Sequence, residues 1–400
     1  MISVTEQFKH HKGLIGFTVL NYIDKGLSFI LPLVILYVCK DKTSYNDLEY
    51  AYSIGNILVW FFALGSTYSF YGYKIADDRD DYMKFFVFVR DSAIIITSVI
   101  MLFFSVVFFN FGKFFFLLNI AITARTVNML YINYYNNYCR LIDKPSLVLV
   151  YGIIINIITI IAIVIAFYLQ SSLLLYFSVP QLLFPIIASA GFFRKGTVKK
   201  YYTRIRAFYK DALLYSWPVI LNCFIGVGIT NFGKIFAYNF MSDEDMYIFS
   251  YTMRISLVIQ LAHASIMTYY SKRVFLGDFN RRIAFAYLLF LLGASALCLI
   301  IIAGLNQVAS FSIPINTITI IIMLYNIIYS AGSFLEQFYN RVNRNRYILY
   351  YSLFAAFFFV VLIVIDKQKT VFTISSIMLI YSIARFGFLG MGLKKVLKLK

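Results

Sequence analysis

Charge is scarce in this chain of 400 residues: Asp, Glu, Lys and Arg together make up 14% of it, against 61% hydrophobic residues. A soluble domain carries about a quarter charged residues and about half apolar ones, so a water-exposed globular protein is excluded. The apolar content equally excludes a disordered chain. Acids are scarcest, 18 against 36 Lys and Arg, which leaves a formal net charge of +18. Cysteine is rare too. Cys39, Cys139, Cys223 and Cys298 stand singly and far apart, a pattern with no metal-binding or redox spacing, and they read as small apolar filler of helices. No stretch matches a nucleotide-binding loop. The first apolar run, Leu14 to Cys39, is too long for the core of a cleavable signal. Membrane barrel strands alternate in polarity, whereas a run such as Ile153 to Phe167 is nearly continuous in its apolar character.

What the chain does have is long apolar stretches, each of the roughly 20 residues needed to cross a bilayer. They fall at 14–38, 49–72, 91–111, 114–138, 147–169, 173–193, 213–240, 247–270, 283–304, 314–338, 347–365 and 371–392. The expected fold is an all-α membrane protein of about twelve transmembrane helices. Its most delicate division lies between the third and fourth stretches, which only Asn110, Gly112 and Lys113 separate. Losing that break would invert every later helix. Lys and Arg accumulate on the cytoplasmic side of membrane proteins. With the N-terminus inside, 26 of the 36 basic residues fall in inner segments, five in outer segments and five within spans. Both termini are therefore expected in the cytoplasm. No outer segment exceeds about a dozen residues, which leaves no room for the extracytoplasmic loop that shapes the site of a lipid-linked-sugar polymerase.

The longest inner connection, 194–211, carries seven basic residues and divides the chain almost in half. The expected organisation is a six-helix bundle over 1–193, a basic cytoplasmic linker over 194–211 lying near anionic lipid headgroups, and a second six-helix bundle with a basic tail over 212–400. Two echoes support duplication. Asp47-Leu48-Glu49-Tyr50-Ala51-Tyr52-Ser53 resembles Glu244-Asp245-Met246-Tyr247-Ile248-Phe249-Ser250, and Tyr138-Cys139-Arg140 parallels Tyr339-Asn340-Arg341. An even number of spans per half makes the repeats parallel, related by an axis along the membrane normal.

An ionisable side chain inside a span costs several kcal/mol unless it faces protein or water, which makes each one a functional candidate. They are Asp24 and Lys25 in the first span, Arg125 in the fourth, Lys234 in the seventh, Arg254 and His263 in the eighth, Glu336 in the tenth and Arg385 in the twelfth. Five Lys and Arg against two acids call for an anion, and the expected cationic binding residues are Lys25, Arg125, Lys234 and Arg254. Helical spacing groups them with polar neighbours. Thr18, Asn21, Lys25, Ser28 and Pro32 form one stripe, and Asn222, Gly226, Thr230 and Lys234 recur at every fourth position. Arg125 shares a face with Asn128, Tyr131 and Tyr135, and Arg254 follows Tyr247 and Tyr251. Asn21, Asn56, Asn128, Thr230 and Tyr251 are the expected polar cavity lining. Asp24 is expected either as a counter-ion, to Arg125 or another cation, or as a carboxylate that exchanges a proton or sodium ion. His263 reads as a packing histidine, and Arg385 and Glu336 are of unspecified relation. Tyrosines on the polar faces, Tyr131, Tyr135, Tyr247 and Tyr251, are able to stack on sugar rings.

The whole pattern resembles the O-antigen and polysaccharide flippases of the multidrug/oligosaccharidyl-lipid/polysaccharide (MOP) exporter superfamily. The residues that carry the resemblance are the polar first span, Tyr50-Ala51-Tyr52-Ser53-Ile54-Gly55 with Leu64-Gly65 in the second, and Tyr215-Ser216-Trp217-Pro218-Val219-Ile220-Leu221 opening the seventh. Where many relatives have an acid in the middle of the seventh span, this chain has Gly233-Lys234, a departure that disfavours cation-coupled drug antiport. The resemblance implies a bacterial inner-membrane flippase, not an enzyme. It would move an undecaprenyl-pyrophosphate-linked oligosaccharide from the cytoplasmic to the periplasmic leaflet as two bundles rock in alternating access. It implies no cofactor and no nucleic acid. Its implied partners are membrane lipids, H+ or Na+, a polysaccharide polymerase and a chain-length regulator. The rival readings are a multidrug or organic-cation antiporter of the same fold, a lipid II flippase, and a membrane enzyme that polymerises the same repeat units.

Overall fold

The computed structural model describes residues 4–142, 144–193, 197–276, 281–308, 315–341, 345–367 and 369–397. Of the inner-segment cations, Arg194, Lys195, Arg344, Lys398 and Lys400 lie outside the described residues, as does the side chain of Thr18. Among the described residues the chain is helical throughout. The first half comprises α1 (Val4–Tyr37), α2 (Lys42–Phe62), α3 (Leu64–Ile75), α4 (Arg79–Phe109), α5 (Lys113–Leu141), α6 (Ser146–Tyr168) and α7 (Leu173–Ala188), followed by a 3-10 turn, Ala190–Phe193. The second comprises α8 (Thr197–Phe240), α9 (Asp243–Leu276), α10 (Arg281–Val308), α11 (Thr317–Arg341), α12 (Asn345–Ile365) and α13 (Val371–Leu397).

Nine of these helices are long and apolar enough to cross a bilayer, and α2 with α3 makes a tenth as a broken span. The 16-residue α7 and the more polar α9, with Arg254 in its interior, bring the rods to the expected twelve. The chain is a multi-pass membrane protein. Among the described residues, the connections consist of little more than the helix caps. Asp41 accepts from the Ser44 amide at 2.9 Å, Asp78 from the amides of Asp80 and Asp81 at 2.9 and 3.0 Å, and Asn316 from those of Ile318 and Thr319 at 3.0 and 3.2 Å. The delicate break between the third and fourth spans is present. α4 ends at Phe109, and Gly112 has φ +119°, a backbone that a side chain would strain. α4 and α5 then pack against each other as a hairpin, with the Ser105 and Thr123 hydroxyls 3.2 Å apart.

One expectation needs correction. The second span, 49–72, is not one helix but bends by 58° at Ala63. No proline causes this. The hydroxyls of Ser66, Thr67 and Ser69 donate back to the carbonyls of Ala63, Leu64 and Ser66, and Asn137 of α5 donates to the Ser66 carbonyl at 2.6 Å, competing with regular helix bonds. The basic segment expected as a linker is helical from Thr197 onward, as the first part of the 44-residue α8.

The chain divides into two compact units, Met1–Trp217 and Pro218–Lys400. In the first, α5 packs against α2 and α7, and α6 against α7; in the second, α11 packs against α9 and α13, and α12 against α13. The fourth rod of each half thus touches the second and sixth, the packing expected of a duplication. The two sequence echoes lie at the starts of α2 and α9 and at the ends of α5 and α11.

Candidate functional site

In the first unit, α1 meets α6 at two successive turns of α1. Asp24 is buried against α6 at Gly152, where an added Cβ would come within 2.1 Å of a carboxylate oxygen. One turn later the Asn156 amide donates to the Ser28 hydroxyl at 2.8 Å. Lys25 turns the other way. Its ammonium pairs with Asp24 at 3.1 Å while its side chain remains 47% exposed. Asp24 and Lys25 point about 100° apart at their Cα atoms, and side-chain length closes the gap. Asn21 is half-buried one turn earlier.

Arg125 is seated on α2. Its Nε donates to Asn56 Oδ1 at 3.2 Å and its guanidinium lies 4.0 Å from the centre of the Tyr52 ring. Gly55 makes this seat possible, because a Cβ there would meet Arg125 Cγ at 2.7 Å. The Tyr52–Gly55–Asn56 face of α2 therefore fixes the direction of a guanidinium in the membrane region by a π-face and an amide oxygen. Asn21, Asn56, Lys25 and Arg125 are each partly accessible.

Asn128, one turn along α5 from Arg125, lies in a different environment. It is buried, accepts from the Tyr151 hydroxyl at 2.9 Å and donates to Gln181 of α7, whose own amide donates to Thr159 of α6 at 3.1 Å. This closed run of neutral donors and acceptors binds α5, α6 and α7 together. Gln181 was missed at the sequence level, although a lone amide between Pro180 and Pro185 in an apolar run was a signal. Arg90, just ahead of the third apolar stretch, is not a loop cation. It is buried in α4, donates to Asp91 at 2.8 Å, and lies 5.5 and 6.0 Å from the rings of Tyr131 and Tyr138. Two acids at the start of α2, Asp47 and Glu49, are buried. Tyr131 stacks on Tyr135 at 5.4 Å and meets Tyr151 at 4.9 Å.

In the second unit the four-residue stripe of α8 faces protein. Asn222 accepts from Ser352 of α12 at 2.9 Å, Gly226 approaches the Tyr329 hydroxyl, and Thr230 pairs with the Tyr325 hydroxyl at 3.1 Å. Glu336 and Arg385 meet in an ion pair. A run of hydrogen bonds leads away from it: Arg385 Nε donates to Ser352 at 3.2 Å and Ser352 donates to Asn222 at 2.9 Å. Four helices, α8, α11, α12 and α13, share that run, and the Arg385 guanidinium also lies 5.2 Å from the Tyr329 ring centre. Lys234 and Arg254 are buried, with 7% and 4% exposed. Tyr247 and Tyr251 are fully buried, their rings 5.8 Å apart. His263 packs as expected, its Nδ1 2.7 Å from the Tyr287 hydroxyl.

No protein-family model and no curated protein sequence matches the chain. Solved structures do match its fold. "Inward-facing conformation of a multidrug resistance MATE family transporter of the MOP superfamily" superposes with a TM-score of 0.61 at 11% identity, covering 96% of each chain. "Lipid II flippase MurJ, inward closed conformation" gives 0.59 at 14% identity, covering 95% of this chain and 87% of that one. "Outward-facing conformation of a multidrug resistance MATE family transporter of the MOP superfamily" gives 0.53 at 12% identity, covering 96% of each. The chain thus has the fold of MOP-superfamily transporters.

Proposed function

We propose that this chain is a flippase. It carries an undecaprenyl-pyrophosphate-linked oligosaccharide, an O-antigen repeat unit or a similar one, from the cytoplasmic to the periplasmic leaflet of a bacterial inner membrane by alternating access. The observation that carries this reading is Lys25, whose side chain remains 47% exposed within a span even though its ammonium pairs with Asp24. A cation at that depth is costly against hydrocarbon and finds its place against water or an anion. A pyrophosphate headgroup, unable to cross hydrocarbon alone, is the anion that such a position serves. Arg125, aimed by Tyr52 and Asn56, supplies a second contact with the planar fork suited to phosphate oxygens. Lys234 and Arg254 are the contributions proposed from the second unit, and Asn21, Asn56, Asn128, Thr230 and Tyr251 are the polar residues that support them. Asp24 keeps Lys25 oriented as its counter-ion. Transport of this kind makes and breaks no covalent bond. Its energy comes from an H+ or Na+ gradient or from a polymerase that consumes the product beside a chain-length regulator.

The test is charge reversal. Lys25→Glu and Arg125→Glu are expected to abolish surface polysaccharide in cells while the protein still reaches the membrane fraction. In proteoliposomes, flipping of an undecaprenyl-pyrophosphate oligosaccharide is expected to fall at least about tenfold, the effect of losing about 1.4 kcal/mol of headgroup binding. Normal flipping by both variants overturns the reading. Export of organic cations by the wild-type chain, without flipping, would make it an antiporter of the same fold instead.

A further inference from the structure

The first part of α8 has two faces. One is fastened to the first unit. Tyr201 and Phe208 are buried, and their rings bracket Phe85 of α4 at 5.5 Å each. Phe208 also meets Tyr68 at 5.3 Å, and Lys200 and Arg204 reach Asp81 at 3.3 and 2.6 Å. Since Tyr201 and Phe208 are two turns apart yet touch the same ring, this stretch crosses over α4.

The opposite face is a continuous stripe. Lys199, Tyr202, Arg206, Lys210, Leu213 and Trp217 follow one another at three- and four-residue steps and stay within a sector of about 80°. All six are exposed, Tyr202 at 70%, Leu213 at 55% and Trp217 at 40%. The one acid between Lys199 and Trp217 is Asp211, which lies off the stripe by about 100° from Lys210. Three cations, then an aliphatic residue and a tryptophan toward the apolar part of α8, which begins at Ser216, make a gradient from charge to hydrocarbon along about 27 Å of helix. Where a helix runs into a span on the side rich in Lys and Arg, such a face puts its cations among headgroup phosphates and its Leu and Trp at the acyl boundary.

We infer that the Lys199–Trp217 face of α8 is a binding surface for anionic phospholipid headgroups of the inner leaflet. The face enriches those lipids around the first unit. Charge complementarity commits it to lipid phosphate rather than to a protein partner, whose covering would keep lipid away from Trp217. This site is separate from Lys25 and Arg125 and does not depend on what the chain transports.

Trp217 reports on it directly, since the only other tryptophan, Trp60, can be replaced by Phe. The Trp60→Phe protein is reconstituted in nanodiscs of equal parts phosphatidylcholine and phosphatidylglycerol, with dibrominated chains placed on one lipid or on the other. Trp217 quenching is expected to be at least about twofold stronger with bromine on phosphatidylglycerol, and the difference is expected to fade with added salt. It is expected to vanish in Lys199→Gln/Arg206→Gln/Lys210→Gln. Equal quenching by the two lipids in the wild-type background overturns the inference without recourse to the triple variant. So does a preference that survives in the triple variant, or an absence of quenching by either lipid, which would mean that protein covers the face.

Discussion

The two halves place their buried polarity at opposite seams. In the first unit a cation sits between the second and fourth rods, where Arg125 of α5 meets Asn56 and Tyr52 of α2. In the second unit the position equivalent to Arg125 is Asn326 of α11, whose amide donates to Ser256 of α9 at 2.8 Å and accepts from Gln260 at 2.7 Å. Between the fourth, fifth and sixth rods the order is reversed. The first unit holds the neutral run Tyr151–Asn128–Gln181–Thr159, and the second holds the ion pair Arg385–Glu336 with Ser352 and Asn222 in line behind it. The exchange teaches that a cation within a span has two different uses. Arg385 is compensated by a carboxylate in its own seam and serves to join helices, whereas Arg125 is aimed by an aromatic face and an amide oxygen.

The largest expected effect breaks the second unit. Glu336→Ala leaves the Arg385 charge buried without its carboxylate, which costs about 3–5 kcal/mol for a buried pair. The variant is expected to unfold at markedly lower temperature in detergent and to accumulate poorly in membranes. Replacing both partners, as Glu336→Leu with Arg385→Met, is expected to recover most of that loss, because the penalty arises from the stranded charge more than from the missing attraction. A Glu336→Ala protein as stable as wild type would remove the structural role assigned to this seam. Next in size is Gln181→Leu in the first unit. It strands the Asn128 amide N–H, while the Thr159 hydroxyl keeps its bond to the Ile155 carbonyl, and is expected to lower stability by about 1–2 kcal/mol. Thermal unfolding of the two single variants side by side ranks the charged seam against the neutral one. A larger loss from Gln181→Leu would invert the comparison.

How far the sequence discloses this arrangement depends on the range of the interaction. Helix number and direction are local properties, written in apolar runs, in caps such as Asp78 and Asn316, and in the break at Gly112. The α8 stripe is legible for the same reason, since four-residue spacing alone puts Asn222, Gly226 and Thr230 on one face. Which neighbour that face meets is not local. Glu336 and Arg385 are 49 residues apart, and only the packing of α11 on α13 joins them. Arg90 looks like a loop cation because it precedes the apolar run, yet α4 begins at Arg79 and carries it into the bundle. The bend at Ala63 arises from hydroxyls that bond backward and from Asn137 on another helix, so residues 49–72 alone read as one span. Asp24 and Lys25 pair because two flexible side chains swing together, a freedom that a helical projection of Cα directions omits.

The smallest expected effect is the most discriminating for function. Tyr52 and Phe249 occupy equivalent places at the starts of α2 and α9, as the sequence echo aligns them. The Tyr52 ring lies beneath the Arg125 guanidinium, whereas the Phe249 ring packs against Gly233 of α8, so closely that a Cβ there would come within 2.6 Å of it. Tyr52→Leu removes a cation–π contact of about 0.5–2 kcal/mol but leaves apolar bulk in its place, so the net loss of stability should be at the lower end of that range. What it takes away is the aim of the guanidinium, and flipping in proteoliposomes is expected to fall by more than the stability change would suggest. Phe249→Leu should show the opposite balance: a cavity against α8 that lowers stability by about 1 kcal/mol, with flipping per folded molecule near wild type. If both variants lose flipping only in proportion to folded protein, Arg125 needs no aiming by Tyr52, and the distinction between the two units reduces to packing.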